Sequence, residues 1–166
     1  MKTLLLVRHA KSSWESPGIP DFDRGLNERG KRDAPQMAKR LKKMGIKIDL
    51  LLSSPAKRAK KTAELFAAGM HRRSEEVHCE PELYLPHHGS FYSLISKLPD
   101  KVSCAAIFSH NPGITDFANS LTDVRVDNMP TCSVFAVNIS GDSWANAEAA
   151  PKTFLFFDYP KSATED

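Results

Sequence analysis

Four consecutive apolar residues, Leu4-Leu5-Leu6-Val7, stop abruptly at Arg8-His9, and this junction restricts the folds open to the chain more than any other feature. The run over residues 2–7 is bounded by charge and too short for a helix, so it reads as a buried strand. It is also far shorter than the ~20 residues of a membrane span, and shorter than the roughly 7 to 15 residues of a secretory signal core. No other apolar run approaches those lengths, so a cytoplasmic protein is expected, without contact to a membrane.

Downstream, strands and helices alternate. A loop carrying Ser16, Pro17, Gly18 and Pro20 leads to Ala34, Met37, Ala38, Leu41 and Met44 at helical spacing, closed by Gly45. Pro35 is expected to kink that helix or to mark its start. Residues 49–53 read as a second buried strand. Ser54 as N-cap and Pro55 as first residue open a helix to about Ala68. An edge strand over 77–83, a helix over 91–98, a strand over 102–109 and a helix through Ile114, Phe117, Ala118 and Leu121 follow. Two late strands, 133–139 and 153–158, flank a turn begun by Ser140, Gly141 and Asp142. Helices interleaved with strands predict an α/β sandwich on a largely parallel sheet, and 166 residues predict a single domain over 1–166.

Charge is uneven. Through Arg73 there are 18 Lys and Arg against 7 Asp and Glu, and beyond it 5 against 13, giving halves of +11 and −8 around a net charge of +3. The basic residues sit in helical contexts without interleaved aromatics, which favours a solvated face or an anionic substrate over nucleic acid. Cys79, Cys104 and Cys132 form no C-x-x-C pair, so packing is expected of them rather than disulfides or zinc.

Three places carry chemistry. Arg8 and His9 follow the first strand, where ligands of open α/β sheets collect. Arg58 lies near a helix N-terminus that already attracts anions. His110, in Ser109-His110-Asn111-Pro112-Gly113, leaves a strand and enters a helix. Each alone has an ordinary structural explanation; together they put two arginines and two histidines on one side of the sheet.

These segments resemble the hallmark segments of the histidine phosphatase superfamily: Arg8-His9, then Ser54-Pro55-x-x-Arg58-Ala59-x-x-Thr62, then Ser109-His110-Asn111-Pro112-Gly113, in that order. Ala10, the Lys11-Ser12-Ser13-Trp14 continuation and Leu26-Asn27-Glu28-Arg29-Gly30 look most like its SixA-type phosphohistidine phosphatases. The resemblance implies the phosphoglycerate-mutase-like α/β/α sandwich, His9 as nucleophile, and Arg8, Arg58 and His110 around the phosphoryl group. Lys11, Ser12 and Asn111 are secondary candidates for substrate contact.

The chemistry is coherent on its own terms. A neutral imidazole attacks phosphorus well and splits one displacement into two. The rest is positioning and charge neutralisation, which two guanidiniums perform bidentately without a cofactor or metal. Ester-cleaving relatives usually carry an acid two residues after a leucine in the central segment. Here Glu82-Leu83-Tyr84-Leu85 puts Leu85 at that place, leaving Glu82, His87 and His88 as stand-ins for a general acid. An alkoxide needs a proton, whereas imidazole leaves with a conjugate-acid pKa near ~6.5. The expectation is therefore a monomeric phosphatase acting on phosphohistidine in a protein partner, with a phosphomonoesterase of small metabolites as the alternative. A His9, His87, His88 and His110 metal site lacks recognisable ligand spacing, and a noncatalytic phosphoprotein-binding module would not need His9.

Overall fold

The computed structural model describes residues 1–14 and 17–163; the loop position Ser16 lies outside them. The first apolar run becomes β1 (Lys2–Arg8), and its side chains divide between two cores. Leu4 and Leu6 pack with Phe91, Phe117 and Phe135 on one face, while Leu5 and Val7 pack with Met37, Phe66 and Phe108 on the other. Successive side chains point to opposite faces of a strand, so a strand covered on both sides must be apolar at every position. Truncating any of these leucines to alanine costs roughly 2–5 kcal/mol.

The remaining elements are α1 (Glu28–Lys43), β2 (Leu50–Ser53), α2 (Lys57–Gly69), β3 (Val77–Cys79), α3 (His88–Ile95), β4 (Cys104–Ser109), α4 (Gly113–Leu121), β5 (Val134–Ile139) and β6 (Lys152–Asp158). Among the described residues the strands form one sheet in the order β3-β2-β4-β1-β5-β6. Neighbours from β3 to β1 pair in parallel, and β5 is antiparallel to both β1 and β6. The apolar sides of α1 and α2 cover one face, and those of α3 and α4 the other. This is the three-layer α/β/α sandwich with a largely parallel sheet.

Several local expectations need correction. The first helix does not start at Pro35. Asn27 caps it by accepting the Gly30 N–H at 2.9 Å, and Pro35 sits inside, on the exposed side, where water can serve the carbonyl a turn earlier. Gly30 is required there, because a Cβ would stand 2.2 Å from the Lys11 carbonyl oxygen. Ser54 is not an N-cap. Ala56 holds that position, while the Ser54 hydroxyl accepts the Ala56 N–H at 3.2 Å and also meets the His110 ring. The edge strand ends at Cys79, because Pro81 lacks a donor for the ladder and opens the one-turn helix Pro81–Leu83. Helix α3 starts a turn earlier than residue 91, with the His87 ring accepting the Gly89 N–H at 3.1 Å. Cys104 and Cys132 are buried as packing requires, but Cys79 is exposed.

Candidate active site

The carboxyl ends of β2, β4 and β1 lie side by side. From β1 the chain proceeds to α1 on one face and from β4 to α4 on the other, and ligands collect in the crevice at such a reversal. Arg8 and His9 end β1, Ser53 and Ser54 end β2, and Ser109 and His110 end β4. Buried Arg58 reaches in from the first turn of α2. The β1 end is clasped from below: the Cys132 N–H donates to the carbonyls of both Arg8 (3.0 Å) and His9 (3.1 Å). Cys132 adopts a left-handed backbone, φ 64°, to do so. Thr62 ties helix to strand, accepting the Ala10 N–H at 3.0 Å and donating to the Arg58 carbonyl at 2.7 Å.

His9 is held in one tautomer. Its Nδ1 lies 2.8 Å from the Ala10 carbonyl oxygen, which can only accept, so Nδ1 carries the proton. Nε2 then keeps its lone pair, and Arg58 Nε donates to it at 3.3 Å. Burial pushes the His9 pKa down to about 3, with the Ala10 hydrogen bond opposing and the charges of His110, Arg58 and Arg8 reinforcing the fall. Burial and Arg58 likewise take His110 down to about 4. Both rings, 5.1 Å apart between centroids, are neutral at pH 7. His110 Nε2 meets the Ser54 hydroxyl at 2.7 Å, and its buried Nδ1 has no hydrogen-bond partner among the described residues.

Two guanidiniums complete the floor. Arg8 donates Nη1 to the Met129 carbonyl at 2.8 Å, and its Nη2 makes no hydrogen bond among the described residues. Burial and the charge of Arg58 lower the Arg8 pKa, so the two cations stand close at a cost that an anion between them would offset. Arg58 turns its outer nitrogens to Asp21, donating to the carbonyl at 2.7 Å and the carboxylate at 3.0 Å. Tyr84 donates to the same carboxylate at 2.8 Å and Arg24 at 3.0 Å. Burial works against it, but hydrogen bonds from Tyr84, Arg24 and Arg58 hold the Asp21 carboxyl well below the usual carboxylate range. Arg24 also donates to Ser12 and lies 3.7 Å from the Trp14 ring centre.

Arg8, His9, Arg58 and His110 all line one open cavity of about 310 Å³, together with Lys11, Ser12, Asn111 and Leu85. The side chain of Asn111 is occupied: Nδ2 donates to Asn128 (2.7 Å) and Met129 (3.2 Å), and Oδ1 accepts from Thr115 (2.5 Å). It braces the loop that holds Arg8. Glu82 is exposed and outside the lining, His87 caps α3, and His88 lines a separate cleft of about 560 Å³ with Tyr92 and Trp144. Among the described residues no three His, Cys, Asp or Glu side chains converge as metal ligands would. The residues that sequence reasoning missed are Asp21, Arg24 and Tyr84. They sit on loops and a one-turn helix where no periodicity marks them; Asp21 and Arg24 flank a Phe-Asp pair just before the α1 cap, a weak signal.

A model of the histidine phosphatase superfamily (branch 1) matches residues 4–97. The chain is 31% identical over 159 residues to the uncharacterized chloroplastic protein At3g52155 of Arabidopsis thaliana, covering 89% of this chain and 71% of that one. Among solved structures, the protein histidine phosphatase SixA complexed with tungstate superposes with a TM-score of 0.82, at 21% identity over 97% of this chain and 99% of that one. The mycobacterial glucosyl-3-phosphoglycerate phosphatase Rv2419c with VO3 superposes at 0.73, with 14% identity over 96% and 100%. At these identities the structural likeness is one of fold.

Proposed function

The chain belongs to the histidine phosphatase superfamily, and from that premise we propose a metal-independent phosphatase that works through a covalent phosphohistidine on His9 and acts on phosphohistidine in a protein partner. The observation that carries this reading is the His9 ring. Its Nδ1–H is fixed on a carbonyl, and its Nε2 lone pair is directed among Arg58, Arg8 and His110.

Attack by Nε2 forms an N–P bond as the bond from phosphorus to the leaving group breaks. No proton need be removed from a neutral ring. The Ala10 carbonyl then stabilises the positive ring that bears the phosphoryl group. Arg8 and Arg58 neutralise the phosphoryl oxygens, in place of a metal. Water subsequently takes the phosphoryl group and restores His9. Lys11 and Ser12, on the lining, are candidates for contacts at the edge.

The nature of the leaving group is supported by the acids around the cavity. Asp21 is the carboxylate on its lining among the described residues, and its hydrogen bonds hold it ionised, so it has no proton to give. Leu85 is apolar, and Glu82 faces solvent. A pocket without a carboxylic acid to give a proton suits a P–N bond, because a phosphohistidine ring that takes a proton from water on its free nitrogen leaves as neutral imidazole. The alternative, a phosphomonoesterase of small metabolites, draws on the fold shared with glucosyl-3-phosphoglycerate phosphatase.

The test is a series of aryl and alkyl phosphates beside a phosphohistidine peptide. Ester cleavage is expected to slow steeply as the leaving alcohol becomes more basic, with the peptide lying above that trend. Alkyl phosphates cleaved as efficiently as the peptide, with loss of only that activity in Glu82→Gln, would make Glu82 a general acid and the metabolite reading correct.

A further inference from the structure

Beside the cavity lies a second cleft, of about 410 Å³, lined by Gly25, Leu26, Lys31, Lys57, Lys60, Lys61 and Glu64. All four lysines are exposed. Lys31 has a partner in Glu28 at 3.6 Å, but Lys57, Lys60 and Lys61 make no ion pair or hydrogen bond among the described residues.

The placement of these charges works against the helix that carries them. Lys57 and Lys60 are spaced i,i+3, and Lys57 and Lys61 i,i+4, so like charges repel along one side of α2. They also crowd its first two turns, the positive end of the helix dipole, and the first turn holds no acid to compensate. A segment that departs this far from its own local preference does so where it meets something else. An anion in the cleft would relieve both penalties together.

The cleft adjoins the cavity through residues next to one another in the chain. Arg24 lines the phosphoryl cavity, while the next two residues, Gly25 and Leu26, line the lysine cleft. Gly25 has no side chain and the Lys57 stem lies against it; a Cβ there would touch Lys57 Cε at 3.5 Å. On α2, Arg58 is buried toward the cavity and its neighbour Lys57 is exposed to the cleft. A chain whose phosphorylated residue entered the cavity would carry its flanking residues over these lysines.

We propose that the Lys31, Lys57, Lys60 and Lys61 cleft docks an acidic segment of a protein substrate next to its phosphorylated residue. This rests on the reading of the neighbouring cavity as a phosphatase site for protein-borne phosphate. The cleft has no aromatic lining and no arginine, so it offers no platform for nucleic-acid bases to stack on. Exposed ammonium groups on flexible stems attract a run of Asp and Glu as point charges, without a fixed geometry.

The experiment uses two phosphohistidine peptides that differ only in their flanks, Asp and Glu in one and Asn and Gln in the other. The whole chain is compared with a triple variant, Lys57→Gln, Lys60→Gln and Lys61→Gln. The wild type is expected to favour the acidic peptide by about tenfold in kcat/KM at low salt, with the preference fading as ionic strength rises. In the triple variant the preference falls below about twofold, while Lys97→Gln with Lys101→Gln retains it. Binding of a fluorescent, unphosphorylated acidic peptide is followed by anisotropy in parallel, and weakens about tenfold in the triple variant; this arm needs no turnover. Wild-type turnover of an aryl phosphate reports separately on the phosphatase reading. Equal binding of the acidic peptide by wild type and triple variant overturns the docking site, whatever the turnover result. So does a single-stranded oligonucleotide that displaces the peptide at lower concentration than the acidic peptide itself, because the cleft would then serve nucleic acid.

Discussion

The floor of the cavity and its rim are built on different principles. Arg8, His9 and His110 stand at the ends of strands buried in the sheet, and Arg58 lies on the first turn of a packed helix. Each is locked by a backbone contact or by burial. Asp21 lies in a one-turn helix and Arg24, Tyr84 and Leu85 on loops, and Arg24 and Tyr84 are held through side-chain hydrogen bonds to the Asp21 carboxylate. The floor has the rigidity that phosphoryl transfer requires of its reacting groups. The rim has the adjustability that choosing among substrates requires.

The sharpest way to break this division is at the floor. His9→Ala removes the proposed nucleophile, and aryl phosphate turnover should fall by at least about a thousandfold. In the wild type, alkaline quenching during turnover should leave phosphate on His9 when mapped by mass spectrometry; phosphate on His110 would reassign the roles. Next in size is Arg58→Lys. The charge remains but the planar fork is lost, and with it the donor to His9 Nε2. A loss of roughly a hundredfold in kcat is expected, against little change for Lys97→Ala, an exposed charge on another part of the chain.

At the rim the effects should be smaller and should fall on binding. Asp21→Asn keeps the shape of the side chain while removing the one negative charge that Arg58 and Arg24 share. Inorganic phosphate should then inhibit several-fold more tightly, with a smaller change in kcat. A collapse of kcat as large as that of Arg58→Lys would place Asp21 in the floor. Smallest of all is the expected response to mild acid. With His9 lowered to about 3 and His110 to about 4, kcat/KM should change little between pH 7 and pH 5 once substrate ionisation is allowed for, and decline as pH approaches 4. Stability follows a different course. The unfolded chain binds protons at these histidines near pH ~6.5 and the folded chain does not. Their contribution is therefore complete above that pH and lost progressively as pH falls from about 6.5 toward the folded values, which chemical denaturation at pH 7 and pH 5 would measure.

This division also decides what could be read from the amino-acid order. The floor was legible because strand burial imposes an unbroken apolar run, and the first polar residues after Val7 and Phe108 must lie at the carboxyl ends of their strands. The three strands converge because parallel pairing aligns their ends. The rim was not legible. Asp21 and Tyr84 are separated by 63 positions, and nothing in their local surroundings requires them to meet. The same limit explains Ser54: its position before Pro55 satisfies the local rule for a helix cap, while its hydroxyl serves a ring 56 residues away. At Pro35 local propensity lost to the cap at Asn27 and to the apolar stripe of Ala34, Met37, Ala38 and Leu41.

The clasp beneath the floor has a practical corollary for labelling. The residue whose N–H holds the carbonyls of Arg8 and His9 is a cysteine, and its side chain is buried in the core beneath α1 and α2. Burial pushes the Cys132 thiol far above its ordinary pKa, and pushes Cys104 up to about 12, which leaves both poor in thiolate and closed to reagents. Cys79 is exposed at the sheet edge; partial burial raises its thiol pKa, with the charge of Lys60 opposing the rise. A maleimide dye should therefore mark this one position without any cysteine being replaced, and would sit where it can report on traffic through the neighbouring lysine cleft.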